Sequence, residues 1–140
     1  MNIQPRRLVA WPALFGLVAA TPIAVTTALP AGAAAATPPP VIVNGHCTGS
    51  SLSNLQLQRE DTGKLSIDFG VDMATHAAKV PWKVNETDNG ATILSVTRST
   101  IADGSFSVTK MINPQPGSNA VTATAVNAKT GERCTLSASI

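Results

Sequence analysis

The sequence predicts an all-β fold, a two-sheet sandwich of about seven strands tied by one disulfide. Three observations carry that prediction. Apolar and polar residues alternate with period two through most of residues 47–140. Turn chemistry built on Gly, Asn and Asp separates the alternating runs. Cys47 and Cys134 are the only cysteines and stand at the two ends of that stretch.

Leu55 and Leu57 alternate with Gln56 and Gln58, and Glu60-Asp61-Thr62-Gly63 then has hairpin-turn chemistry. Leu65, Ile67, Phe69, Val71 and Met73 alternate with Ser66, Asp68, Gly70 and Asp72, which predicts a strand with one buried and one wet face. Residues 74–79 hold one helical turn at most. Val80, Trp82 and Val84 alternate with Pro81, Lys83 and Asn85, and Asp88-Asn89-Gly90 follows as a strong hairpin signal. Residues 93–98 form the next strand, with a pattern that leaves its facing open. Ala102-Asp103-Gly104 turns the chain again. Phe106 and Val108 open another strand, in which a bulge is expected to shift Met111 and Ile112. Asn113-Pro114-Gln115-Pro116-Gly117 is a loop, because its prolines cannot donate to a central ladder. Val121, Ala123 and Ala125 alternate with Thr122 and Thr124, Lys129-Thr130-Gly131-Glu132 turns, and Cys134, Leu136 and Ala138 close the domain. Trp82, Phe69 and Phe106 are the expected large core residues.

Residues 1–36 read as a signal peptide. Arg6 and Arg7 give a positive start, residues 8–29 carry no charge, and the run exits through Ala31-Gly32-Ala33-Ala34-Ala35-Ala36. Cleavage is expected after one of Ala33, Ala34, Ala35 and Ala36. A retained membrane helix is the competing reading, since the uncharged run approaches the roughly 20 residues a bilayer requires. Pro12, Pro22, Pro30 and the small-residue exit weigh against it. Residues 37–46, which include Pro38-Pro39-Pro40, are expected to be a Pro-rich linker and domain lead-in, and residues 47–140 the sandwich. The expected location is outside the cell, with no stable membrane insertion after cleavage.

In that compartment two cysteines flanking a small domain are expected to pair. On the chain-entropy model so long a loop stabilises the fold by roughly 4–5 kcal/mol. Zinc would need more ligands than His46 and two thiols supply.

Net charge also narrows the partners. The chain has 10 Lys+Arg and 8 Asp+Glu, and loss of Arg6 and Arg7 leaves 8 of each. A neutral domain has no general attraction for a phosphate backbone, so nucleic acid is not an expected partner. No Gly-x-Ser-x-Gly elbow occurs, and His46 and His76 are the only histidines. Ser66 and Ser107 fall in strands, where a hydroxyl is ordinarily a solvated side chain. Asp68, Asp72 and His76 are a weak candidate for a cation on one sheet face, and keeping that face wet is the simpler role. Asn85-Glu86-Thr87 fits the N-glycosylation acceptor pattern. Trp82 would stack on a sugar if exposed, but its alternation with Val80 and Val84 favours the core. No catalytic residue, metal or cofactor is expected.

The C-terminal half carries a family likeness. Asp103-Gly104-Ser105-Phe106-Ser107-Val108, Pro116-Gly117-Ser118-Asn119, Val121-Thr122-Ala123-Thr124-Ala125-Val126-Asn127 and Thr130-Gly131-Glu132-Arg133-Cys134 resemble bacterial immunoglobulin-like and fibronectin-type-III-like domains, among them small secreted single-domain proteins of Gram-positive bacteria. The resemblance covers roughly residues 80–136. It implies an immunoglobulin-like Greek-key sandwich serving as a spacer, adhesion or binding module. Cys47 and Cys134 depart from the antibody spacing around Trp82, so the resemblance implies no binding residue. The expectation is a secreted non-catalytic binding or interaction module whose partner is a cell-envelope component or a secreted protein. The alternatives are an inert structural extracellular domain, or an enzyme inhibitor presenting the 113–117 loop.

Overall fold

Strands form where the alternation predicts them, and one more forms before Cys47. The structure, a computed structural model, describes residues 36–140. The expected signal peptide, residues 1–36, lies outside the described residues except for Ala36. Eight strands follow in order: β1 (Val41–His46), β2 (Leu52–Arg59), β3 (Leu65–Asp72), β4 (Pro81–Asp88), β5 (Ala91–Ser99), β6 (Ser105–Ile112), β7 (Ala120–Asn127) and β8 (Arg133–Ser139). Among the described residues no helix is long and apolar enough to cross a membrane.

The strand beyond the expected seven is β1, inside the segment read as linker and lead-in. Val41 and Val43 are half-buried while Ile42, Asn44 and His46 are exposed, so the period-two signal is present directly after the prolines.

The strands make two four-stranded antiparallel sheets, in the orders β1-β2-β3-β6 and β5-β4-β7-β8. The chain crosses between sheets after β3, β5 and β6. Inward residues of both sheets form one core, which includes Leu55, Leu57, Leu65, Ile67, Phe69, Trp82, Val84, Val121, Ala123 and Ala125. Trp82 is fully buried, and its ring lies 5.9 Å from that of Phe106.

The Asn-Gly signal is realised as expected. Asn89 and Gly90 both have positive φ, 48° and 83°, and join Asp88 to Ala91 in a two-residue hairpin. The expected bulge in β6 does not occur. The β3–β6 register runs unbroken from Leu65↔Ile112 to Asp72↔Ser105, and Lys110 takes the inward position between Val108 and Ile112. The aliphatic stem of a lysine tolerates that half-buried site, which a sequence pattern treats as polar and outward. The irregularity lies instead in β5, where Glu86 pairs with Leu94 and Thr87 with Thr92, leaving Ile93 as the extra residue. It explains why the facing of 93–98 is ambiguous in sequence.

Cys47, just beyond β1 in the first sheet, is bonded to Cys134 in β8 of the second, across a sequence separation of 87. The sheets also approach closely there: a Cβ on Gly45 would lie 2.5 Å from Leu136 Cδ2. One side of the sandwich is thereby closed. On the other side β5 and β6 are the sheet edges.

Candidate functional site

The outer face of the first sheet is built in rows by strand register. His46, Leu52, Asp72 and Ser105 form one row, Asn44, Asn54, Gly70 and Ser107 the next, and Ile42, Gln56, Asp68 and Thr109 a third. Every outward position but Gly70 carries a side chain. The second row therefore sinks at its third strand, and a hollow of about 880 Å³ opens over Gly70. A Cβ on Gly70 would collide with Asn54 Oδ1, so the bare backbone leaves room for the Asn54 amide to lie across the floor. Arg98, Ser99 and Ile101, from the end of β5 and the turn after it, form one rim.

Most of the lining side chains are polar, although more of the exposed surface of the hollow is apolar than polar, with Leu52, Val71, Ile101 and Phe106 contributing. Asn44 and Asn54 supply amides that both donate and accept, Ser105 and Ser107 hydroxyls, Asp68 and Asp72 carboxylates, and Arg98 a guanidinium. The Thr109 hydroxyl donates to Asp68 Oδ2 at 3.1 Å. The Ser105 hydroxyl and N–H donate to Asp103 Oδ1 at 2.7 and 2.9 Å and hold its carboxyl below the usual carboxylate range. Leu52 and Ile101 are 49% and 61% exposed and add apolar surface at the His46–Ser105 end. This arrangement suits a ligand that joins hydroxyl or amide groups to a substantial apolar face.

The residues singled out in sequence are dispersed. The sulfurs of Cys47 and Cys134 are consumed in the disulfide. His46 lies on the outer face beside the hollow, and Nδ1 of His76 is 2.9 Å from the Asp103 carbonyl oxygen. Asp68 and Asp72 share the outer face two rows apart, while His76 falls in the turn region after β3. Among the described residues no group of three or more His, Cys, Asp or Glu is placed to hold a metal ion. Ser107 lines the hollow, and Ser66 lies opposite Met111 beyond its far end. The 113–117 loop connects β6 to β7. Asn85 is exposed on the outer face of the second sheet, where Thr122 and Ser137 hydroxyls meet at 2.8 Å and Lys83 and Arg133 are the strand cations.

Two features escape the sequence reading. Asn44 and Asn54 become neighbours only through the β1–β2 register. Glu86 is fully buried, and neither of its oxygens has a protein hydrogen-bond partner. Its signal was available: it continues the inward series of Trp82 and Val84. Burial first, then the negative charge of Asp68, pushes its carboxyl up to about 7, with Lys110 acting in the opposite direction. Asp88 and Asn119, also buried, are joined by a 2.8 Å hydrogen bond from Asn119 Nδ2 to Asp88 Oδ2.

No family model matches the chain, and neither a curated protein nor a solved structure does.

Proposed function

We propose that this chain is a secreted, non-catalytic binding module of immunoglobulin-like fold that holds a hydroxyl- or amide-bearing ligand on the open face of its first sheet. The observation that carries the reading is the hollow over Gly70, the one outward position of the three rows without a side chain, lined by amides, hydroxyls and carboxylates. A concave site with a few convergent polar groups is the form that ligand sites take. The sheet crossings after β3, β5 and β6 support the immunoglobulin-like assignment. The charge-free run after Arg6 and Arg7 and the disulfide support export.

Binding rather than turnover is favoured by the spacing of the titratable groups. His46 and Asp72 share a row with Leu52 between them, two strand spacings or about 10 Å apart, too far for a direct proton relay. The partner we favour is a cell-envelope component, because wall polysaccharide presents the hydroxyls and amides this lining would recognise. A secreted protein is the alternative.

Co-sedimentation of the oxidised mature protein with the producing cells' envelope fraction tests the reading. Retention through washing, abolished by Gly70→Leu with an unchanged circular dichroism spectrum, is the expected result. Gly70 does not have positive φ, so a side chain there fills the hollow without backbone strain. Equal retention of both proteins would remove the hollow as the site. Failure of both to bind the envelope or any secreted protein would remove the function.

A further inference from the structure

Four strands end the two sheets: β1 and β6 in the first, β5 and β8 in the second. An unpaired edge presents N–H and C=O groups that template another strand. Proteins guard such edges with proline, inward-pointing charge, bulges or cover. β1 follows Pro38-Pro39-Pro40 and lies on the side closed by the Cys47–Cys134 bond and the Gly45–Leu136 approach, as does β8. β6 turns Lys110 inward and runs out into Asn113-Pro114. β5 is different. It is guarded only at its two ends, by the bulge at Ile93 near the hairpin and by Arg98, which lies opposite the inward Trp82, and residues 94–97 (Leu94-Ser95-Val96-Thr97) between them contain no charge, proline or glycine. Leu94 and Val96 are only half-buried.

We infer that β5 pairs with β5 of a second copy of this chain, antiparallel about a two-fold axis at Val96, merging two four-stranded sheets into one. The register with β4 sets the facing of each residue. Leu94 and Val96 lie opposite the inward Glu86 and Val84, and Ser95 and Thr97 opposite the outward Asn85 and Lys83. Pairing centred on Val96 uses only the regular stretch past the bulge. It sets Val96 against itself on the inner side and Ser95 against the partner's Thr97 on the outer side, both favourable cross-strand pairs. Arg98, the only charge in β5, falls opposite the partner's Leu94. The two Arg98 positions are then four strand positions apart, about 14 Å, which exceeds the screening length of about 8 Å at physiological salt. No like charges meet, and the half-buried Leu94 and Val96 gain cover. A self-complementary edge of this kind forms a closed two-fold dimer and does not propagate.

Sedimentation equilibrium of the oxidised protein tests the inference, with paired substitutions on the solvent side of β5 that fix the register. The wild type is expected to show a concentration-dependent monomer–dimer equilibrium. Ser95→Lys with Thr97→Lys places like charges opposite each other twice and is expected to weaken the dimer at least tenfold. Ser95→Lys with Thr97→Glu places opposite charges together twice and is expected to restore it. Near-ultraviolet circular dichroism checks that each variant is folded. A Val96→Cys variant is expected to give a disulfide-linked dimer, since residues paired across antiparallel strands have Cα atoms about 4.5–5.5 Å apart, whereas Thr92→Cys is expected not to. A wild type still monomeric at about 1 mM, or a dimer indifferent to both charge pairs, would overturn the inference.

Discussion

Glu86 makes the stability of this domain depend on pH in the direction opposite to that of a salt-bridged carboxylate. The side chain is fully buried in the inward series of β4, and neither oxygen has a protein partner. Its carboxyl is raised from 4.5 to about 7, chiefly by burial and secondly by Asp68, against the pull of Lys110. A carboxyl with a higher pKa in the folded than in the unfolded state binds its proton more tightly when folded. The folded state is thus favoured most below about pH 4.5, and that contribution is lost as pH rises through about 7. The displacement corresponds to about 3 kcal/mol, a sizeable part of the 5–15 kcal/mol of a typical domain. Glu86→Gln keeps the shape and removes the titration. Urea denaturation of the oxidised protein at pH 5, 7 and 9 is the assay, with the free-energy difference between variant and wild type read at each pH. The two proteins are expected to be similar at pH 5, and the variant more stable by about 2–3 kcal/mol at pH 9. Lys110→Met, which removes the cation favouring the charged form, is expected to steepen the wild-type loss at high pH. A variant-to-wild-type difference that stays constant from pH 5 to 9 would refute the reasoning.

Two further outcomes follow from the closed side of the sandwich and from the hairpin. Replacing Cys47 and Cys134 together with Ala is expected to destabilise the protein by roughly 4–5 kcal/mol, read as a lower urea midpoint than that of the oxidised wild type. Gly90, at φ 83°, tolerates no Cβ without strain, so Gly90→Ala is expected to cost about 1–2 kcal/mol and lower the thermal midpoint by several degrees.

Local pattern carried most of the fold. Period-two alternation located seven strands, Asn89-Gly90 located the tight hairpin, and the placement of the only two cysteines at the ends of the alternating stretch located the disulfide. The first two depend on residues near one another in sequence, and the third on there being only two cysteines to pair. The pattern failed where one residue could satisfy two roles. β1 was overlooked because Pro38-Pro39-Pro40 made its short alternation read as linker. Lys110 interrupts the apolar alternation between Val108 and Ile112, so Met111 and Ile112 read as shifted by a bulge in β6, although the register there is continuous.

The candidate site was barely legible. Asn54, Gly70 and Ser107 belong to three strands, and only the register places them in one row. Sequence alone determined that this chain builds strands with one wet face, turns them where Asn, Asp and Gly permit, and ties its ends with Cys47 and Cys134. The tertiary structure decided that β3 pairs with β6 and β4 with β7, that a bare glycine opens the wet face of the first sheet, and that Glu86 lies in the core. Alternation is written into neighbouring residues, whereas strand partners, hollows and burial arise when two sheets separated along the chain pack their faces together.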